Sequence, residues 1–283
     1  MSAIITLTTD FGTRDAYVAE MKGVMLEIAA AAGRPVHLVD VTHEVERHDV
    51  TEAALALDAA APHFPPGTVH LAVVDPGVGT DRRELVVQTA RAVFVGPDNG
   101  VFTPFLDGSA AWRAWELRAP EYRLPSVSRT FHGRDIFAPA AAYLATGVAP
   151  ERFGPRVVDP LRLSWPTVRA VAGAVAGAVL HVDRFGNLVT SIRAETLDGL
   201  GGAPRIRLGG RRLPLVGTYG DLPPGQAGAL IGSSGRLEIA VREGSAAAAF
   251  KARRGTPVVV SRSLGPAARR ALGPVTRRAR KES

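Results

Sequence analysis

Asp10, Asp75 and Asp98 each follow a run of β-branched or aliphatic residues, at 4–8, 68–74 and 93–95. Carboxylates in that position of an α/β chain lie at the carboxyl ends of strands, where such sheets bind ligands. They can accept hydrogen bonds from hydroxyls or take a proton from water. The same residue type also caps helices and fixes turns, and spacing alone leaves both roles open. His132 stands in a segment dense in polar side chains, Ser128-Arg129-Thr130-Phe131-His132-Gly133-Arg134-Asp135, just ahead of an Ala-rich helical stretch at 138–145. A histidine among Thr, Arg and Asp is a candidate for proton transfer. The loop Asp75-Pro76-Gly77-Val78-Gly79-Thr80 can bring backbone amides close to a ligand. It lacks the Gly-Lys-Ser/Thr ending of a P-loop. His43 and His48 are five residues apart. At about 100° per residue they lie roughly 140° apart on a helix, whereas a zinc-protease pair needs a spacing of four, so zinc is not expected there. Asp183-Arg184-Phe185-Gly186-Asn187 and Gly232-Ser233-Ser234-Gly235 are polar turns beside β runs, and each reads as a hairpin turn.

The elements that must position these residues follow from periodicity. Residues 4–8 form a β-branched run. Helical spacing over 15–31 puts Tyr17, Met21, Val24, Met25 and Ile28 on one face, and Gly33-Arg34-Pro35 stops it. A strand at 36–41, a helix at 50–61, a strand at 68–74 and two short strand patterns within 85–95 come next. Strands alternating with helices predict an α/β N-terminal domain with a largely parallel central sheet. After residue 155 the pattern changes to short β runs separated by Gly- and Pro-rich turns. This predicts a smaller all-β, barrel-like C-terminal domain. The expected organisation is an α/β domain at 1–158, a linker, a β domain at 168–264 and a basic tail at 265–283.

Composition narrows the function. The chain has 283 residues, 46% hydrophobic and 22% charged, which excludes wholesale disorder. It has no cysteine, so disulfides, thiolate nucleophiles and Cys-ligated metal sites are excluded. The net charge is +7, but seven basic residues and one acid lie between Arg262 and Ser283. Six of the seven net charges therefore sit in residues 262–283, and the rest of the chain is nearly neutral. Such a tail reads as a solvated terminus in preference to a nucleic-acid contact. The longest uncharged apolar run, 170–182, is shorter than the roughly 20 residues of a membrane span. Asp10 interrupts the apolar start, so no signal peptide is expected, and the sequence reads as cytoplasmic.

Seven segments occur in one order: Thr8-Thr9-Asp10-Phe11-Gly12, Met21-Lys22-Gly23-Val24, the 75–80 loop, Gly96-Pro97-Asp98-Asn99-Gly100, the 130–135 segment, the 183–187 turn and Leu237-Glu238-Ile239-Ala240. Together they resemble the S-adenosyl-L-methionine (SAM) hydroxide adenosyltransferases, relatives of the SAM-dependent fluorinase and chlorinase. The resemblance implies a homotrimer with SAM between the N-terminal domain of one subunit and the C-terminal domain of its neighbour. It implies that SAM and hydroxide give adenosine and L-methionine, with SAM as substrate and no cofactor or metal. By similarity, Asp75, Arg82 and His132 are the water-activating triad, and Asp10 grips the ribose diol. Asn187 reads the adenine edge and Tyr219 stacks on adenine. Asp183, Ser233 and Ser234 hold the methionine ammonium and carboxylate, and Glu238 and the backbone near Val241 touch the same ligand. Ser234 stands where the fluorinase has Arg, and Arg242 where Asn is expected. Arg83 adjoins Arg82, whose spacing from Asp75 fits the triad better.

Three rival functions fit the sequence less well. Halide-using relatives carry Tyr at the position of Asp75, and the fluorinase has a halide-contacting Ser at the position of Gly133. An anionic Asp75 should also repel halide, so hydroxide is favoured over chloride. A SAM or adenosine sensor using the tail on RNA would not need an intact triad. A metal-dependent phosphohydrolase built on Asp10, Asp75 and Asp98 lacks a supporting His–Asp ligand pattern.

Overall fold

The computed structural model describes residues 2–108, 111–165, 168–171, 173–200 and 204–262. The expected basic tail lies outside them. The chain divides into two compact units, Met1–Ser164 and Trp165–Ser283. Among the described residues no helix is long and apolar enough to cross a membrane.

The first unit begins with β1 (Ala3–Thr9), α1 (Tyr17–Ala31), β2 (Val36–Thr42), α2 (Val50–Ala60) and β3 (Thr68–Val73). It continues through β4 (Glu84–Thr89), β5 (Ala92–Pro97), α3 (Thr103–Asp107), β6 (Trp112–Glu116), α4 (Ala138–Ala145) and β7 (Arg156–Val157). The sheet order is β2-β1-β3-β5-β4-β6-β7. β2, β1, β3 and β5 run parallel. The pairs β4–β5, β4–β6 and β6–β7 are antiparallel. The sheet is thus mixed, where the alternation predicts a largely parallel one. Only Ala90 and Arg91 separate β4 from β5. A link that short permits only a hairpin, because a parallel return needs a crossover of a dozen residues or more.

β3 is buried along its whole length, as expected of a central strand covered on both faces. Ile5, Leu7, Leu71, Met21 and Met25 join Ala138, Ala140, Ala141 and Ala142 of α4 in one core. The many alanines of α4 let that helix lie close to the sheet and to α1. Arg34 N–H caps α1 on the Ala29 carbonyl at 3.0 Å, and Pro35 prevents further helix. Asp49 caps α2 by accepting from Glu52 N–H at 3.0 Å.

His70 of β3 is 1% exposed. Its ring stacks on Phe94 at 5.1 Å. Nδ1 meets Thr6 Oγ1 at 2.8 Å, while Nε2 has no partner among the described residues. Burial pushes its pKa from 6.5 down to about 4. The unfolded chain therefore binds a proton that the folded one refuses. The resulting stability is fully present above pH 6.5 and is lost as pH falls toward 4. Between wild type and His70→Gln, the difference in denaturant stability should change by on the order of 3 kcal/mol from pH 7 to pH 4. Equal pH slopes in the two proteins would contradict this.

The second unit contains β8 (Arg169–Val171), β9 (Ala174–Val182), β10 (Leu188–Arg193), α5 (Ala194–Asp198), β11 (Pro204–Leu208) and β12 (Arg211–Leu213). It ends with β13 (Ala227–Ile231), β14 (Arg236–Val241), α6 (Ala246–Phe250) and β15 (Pro257–Arg262). Seven strands run in the order β12-β11-β15-β9-β10-β14-β13, with β8 paired to β9, and every pairing is antiparallel. A bridge between Leu215 and Ala229 brings the chain after β12 against β13, so the sheet curls almost into a barrel. Val179, Leu188, Ile192, Ile206, Leu237, Ile239, Val258 and Val260 point inward. That alternation is the period of two on which the β reading rests.

Candidate active site

Asp75 stands just beyond β3, at the start of the Gly-rich loop. Gly79 takes a left-handed φ of +77°, and a Cβ there would lie 2.7 Å from the Arg129 carbonyl. Only glycine lets the loop rest against the segment that carries His132. The chain is then extended from Arg82 into β4. Residues two apart share a face of an extended chain. Arg82 and Glu84 therefore project together, and Arg83 projects the other way.

Four side chains meet on the Arg82–Glu84 face. Arg82 Nε donates to Asp75 Oδ1 at 2.9 Å and Nη2 donates to Oδ2 at 2.5 Å. Nη1 donates to Glu84 Oε1 at 2.9 Å. Nη2 also reaches His132 Nδ1 at 2.8 Å. The guanidinium lies over the Phe137 ring, 5.3 Å from its centre. The side chains of Asp75, Arg82, His132 and Glu84 are 6, 9, 11 and 14% exposed. Burial opposes the charge on Arg82, but hydrogen bonds and charge from Asp75 and Glu84 outweigh it and raise its pKa. Burial lowers the His132 pKa, the Arg82 charge lowers it further, and Glu84 and Asp75 only partly offset this. Guanidinium can only donate, so Nδ1 accepts here and the neutral ring carries its proton on Nε2.

His132 immediately precedes a π-helical turn, Gly133–Phe137, that leads into α4. Asp135, 0% exposed, fixes the approach by accepting from Ser128 N–H at 2.8 Å and from Arg134 Nε at 2.6 Å. Arg134 also pairs with Glu20 at 2.8 Å.

Asp75 and His132 line a cleft of about 490 Å³, which Asp10, Phe11, Asp15, Tyr17, Arg47, His48, Val73, Val78, Thr130, Phe131 and Gly133 complete. That volume suits a small-molecule ligand. Asp10 Oδ2 accepts from His48 N–H at 2.9 Å, which ties the 43–49 loop to the end of β1. Phe11, Tyr17 and Phe131 form an aromatic wall, with ring centres 5.2–5.8 Å apart. Helical spacing places Tyr17 with the core, yet it is 47% exposed. It opens the first turn of α1 and lines the cleft. Glu84 escapes a search for acids at strand ends because it begins its strand. The signal that finds it is its place two residues after Arg82.

Other candidates fall elsewhere. Arg83 Nε donates to Asp98 Oδ2 at 2.8 Å, and its Nη1 to Asp159 Oδ1 at 2.8 Å. Asp98, 3% exposed, also accepts from Leu161 N–H at 2.7 Å. That cluster anchors the 159–161 segment and is no part of the cleft lining. Among the described residues no group of three or more His, Cys, Asp or Glu is placed to hold a metal. His43 is buried, with Nδ1 on Thr9 Oγ1 at 2.9 Å and Nε2 3.0 Å from Asp40 Oδ1.

In the second unit, Asp183 closes the β9–β10 turn. Its Oδ1 accepts from Phe185 and Asn187 N–H at 2.9 and 2.8 Å, and its Oδ2 from Asn187 Nδ2 at 3.0 Å. Gly186 takes φ +80°, and a Cβ there would collide with the Ser245 hydroxyl. Tyr219 OH donates to Glu238 Oε2 at 2.8 Å. Burial, then Glu238, pushes the Tyr219 pKa up to about 12, and the charge of Asp183 adds to the effect. These residues therefore form one polar cluster on the β domain. Ser233 and Ser234 are exposed in the β13–β14 turn, beside Gly232, whose missing side chain leaves room for Glu238. Val241 pairs with Ala227 at the end of β14. Arg242 Nη1 donates to the Gly220 and Leu222 carbonyls at 3.2 and 2.9 Å, bracing the turn that carries Tyr219.

Both units match models of one family. Residues 5–154 match the SAM hydroxide adenosyltransferase N-terminal domain, and residues 177–259 the C-terminal domain. The (R)-S-adenosyl-L-methionine hydrolase of Thermus thermophilus is 42% identical over 263 residues, covering 88% of this chain and 96% of the relative. A fluorinase of Nocardia brasiliensis is more distant, 29% identical over 292 residues, covering 91% of this chain and 96% of that protein. The crystal structure of a conserved protein from Thermotoga maritima superposes with a TM-score of 0.84 at 35% identity, covering 91% of this chain and all of that one. The chain belongs to the SAM hydroxide adenosyltransferase family.

Proposed function

We propose that the protein hydrolyses SAM, with hydroxide attacking the ribose 5′ carbon to release adenosine and L-methionine. The observation that carries this is the buried Asp75–Arg82–His132 cluster at the wall of a cleft that also holds Asp10. Asp10 has the chemistry to receive both ribose hydroxyls. The aromatic wall of Phe11, Tyr17 and Phe131 gives the cleft an apolar side from which a bound ligand displaces water. Expelling a neutral thioether from a sulfonium removes the positive charge as hydroxide loses its negative one. Water stabilises the separated charges more than the diffuse transition state, so a dry cleft accelerates the step. Holding the nucleophile in line at about 3 Å adds an entropic gain. The bond from oxygen to carbon forms as the carbon–sulfur bond breaks, and the sulfur keeps the electron pair. Asp75 accepts the water's hydrogen bond and then its proton as attack proceeds, Arg82 holds the Asp75 carboxylate through two hydrogen bonds, and His132 orients the nucleophile.

Methionine and adenine fall to Asp183, Asn187, Tyr219, Ser233, Ser234, Glu238 and the Val241 backbone, assignments that rest on the family's motifs. Those motifs also motivate a homotrimer with SAM between the N-terminal domain of one subunit and the C-terminal domain of the next. No cofactor enters the step. A cytoplasmic setting fits the cysteine-free sequence. Chloride is disfavoured as nucleophile because a carboxylate lines the nucleophile's place, and a Cβ on Gly133 would already lie 3.2 Å from Phe131. Chromatography of SAM digests with and without chloride tests the choice. Adenosine and methionine should appear in both. Formation of 5′-chloro-5′-deoxyadenosine at a comparable rate would replace hydrolysis with halogenation.

A further inference from the structure

Arg82 contacts two carboxylates, and the triad accounts for only one. Glu84 Oε1 lies 2.9 Å from Arg82 Nη1 and 3.4 Å from His132 Nδ1. Its Oε2 is 3.6 Å from Arg123 Nη2, on the far side from Arg82. Arg123 Nε is buried with no hydrogen-bond partner among the described residues. Glu84 thus sits inside a box of Arg82, His132 and Arg123. Asp75 closes the other side of Arg82.

We propose that Glu84 is a positioning residue for the reaction, fixing the plane of the Arg82 guanidinium against Asp75 and His132 and acting as the counter-charge to the His132 ring. Asp75 alone grips Arg82 along one edge. Glu84 grips the remaining nitrogen, so rotation out of the plane breaks bonds on both sides. A guanidinium held at both edges presents Nη2 to His132 in one orientation. Should the ring gain a proton on Nδ1, Glu84 Oε1 is the acceptor within reach, since Arg82 cannot accept. The charged groups that face the ring are Arg82 and Arg123, which disfavour its protonation, and Glu84 and Asp75, which favour it. Removing the Glu84 charge tips this balance toward the neutral ring.

The role of Glu84 rests on the function proposed above, and two readouts keep the two apart. Glu84→Gln keeps an acceptor for Arg82 and removes the charge. In this variant the acid limb of kcat/KM for adenosine release should move to lower pH. The ring proton of His132, followed by NMR and assigned by its loss in His132→Ala, should titrate at lower pH in the ligand-free protein. The kcat should fall roughly tenfold to a hundredfold, as for a displaced catalytic group. Glu84→Asp keeps the charge and shortens the arm. It should lower kcat while leaving the acid limb in place. A ring titration and acid limb unchanged by Glu84→Gln would overturn the proposal and leave Glu84 a brace of the fold. Were Glu84→Gln unable to fold, Glu84→Asp decides: wild-type kcat would overturn the proposal. Were wild type to release no adenosine, hydrolysis would be wrong, while the ring titration would still read the effect of Glu84.

Discussion

Asp75→Ala should lower kcat for adenosine release by about 10²–10⁴-fold, the range for removing a positioned proton acceptor. SAM affinity should change far less, because Asp10 and the aromatic wall remain. The fold should persist, since Arg82 keeps Glu84 as a partner at 2.9 Å. Single-turnover adenosine release, isothermal calorimetry with SAM and thermal unfolding separate these effects. Turnover within tenfold of wild type would mean that Asp75 is not the group that handles water.

Arg82 carries a larger structural burden. Arg82→Ala leaves Asp75 and Glu84, 6 and 14% exposed, without their shared cation. Removing one partner from such a buried set costs about 3–5 kcal/mol. The urea midpoint should fall accordingly, and activity should vanish. Arg82→Lys restores the charge but not the fork. One ammonium cannot hold Asp75 along an edge while also serving Glu84 and His132. Much of the lost stability should return with Lys, while kcat stays about a hundredfold below wild type. Full activity in Arg82→Lys would show that charge alone suffices and that the guanidinium geometry is irrelevant.

The first strands, α1, α2 and α4 announce themselves through apolar spacing and their stops, and the short β runs of the second unit do so through regular turns. Strand direction does not, because β4 and β5 have the same composition whether they run parallel or antiparallel. Their hairpin turns on Ala90-Arg91, which carries none of the Gly or Asn that marks a tight turn. The approach of Arg82 to Asp75 follows from a short Gly-rich loop. The parity of an extended chain decides why Arg82, and not Arg83, turns toward the cleft, and that parity depends on where β4 begins, which spacing does not fix. Asp98 has the type and place of a site residue, yet Arg83 and Leu161 N–H consume its oxygens. No local pattern distinguishes an acid that meets a ligand from one that meets a distant segment. Tyr17 shows the same limit: its spacing is that of the core face, but its ring lines the cleft.

The most direct test of the chemistry is digestion of SAM in water enriched in ¹⁸O, with mass analysis of the products. If the cleft aims a water at the sugar carbon, the label appears in the 5′ hydroxyl of adenosine and methionine stays unlabelled. Unlabelled adenosine, or label carried by the sulfur fragment, would contradict attack by water at that carbon.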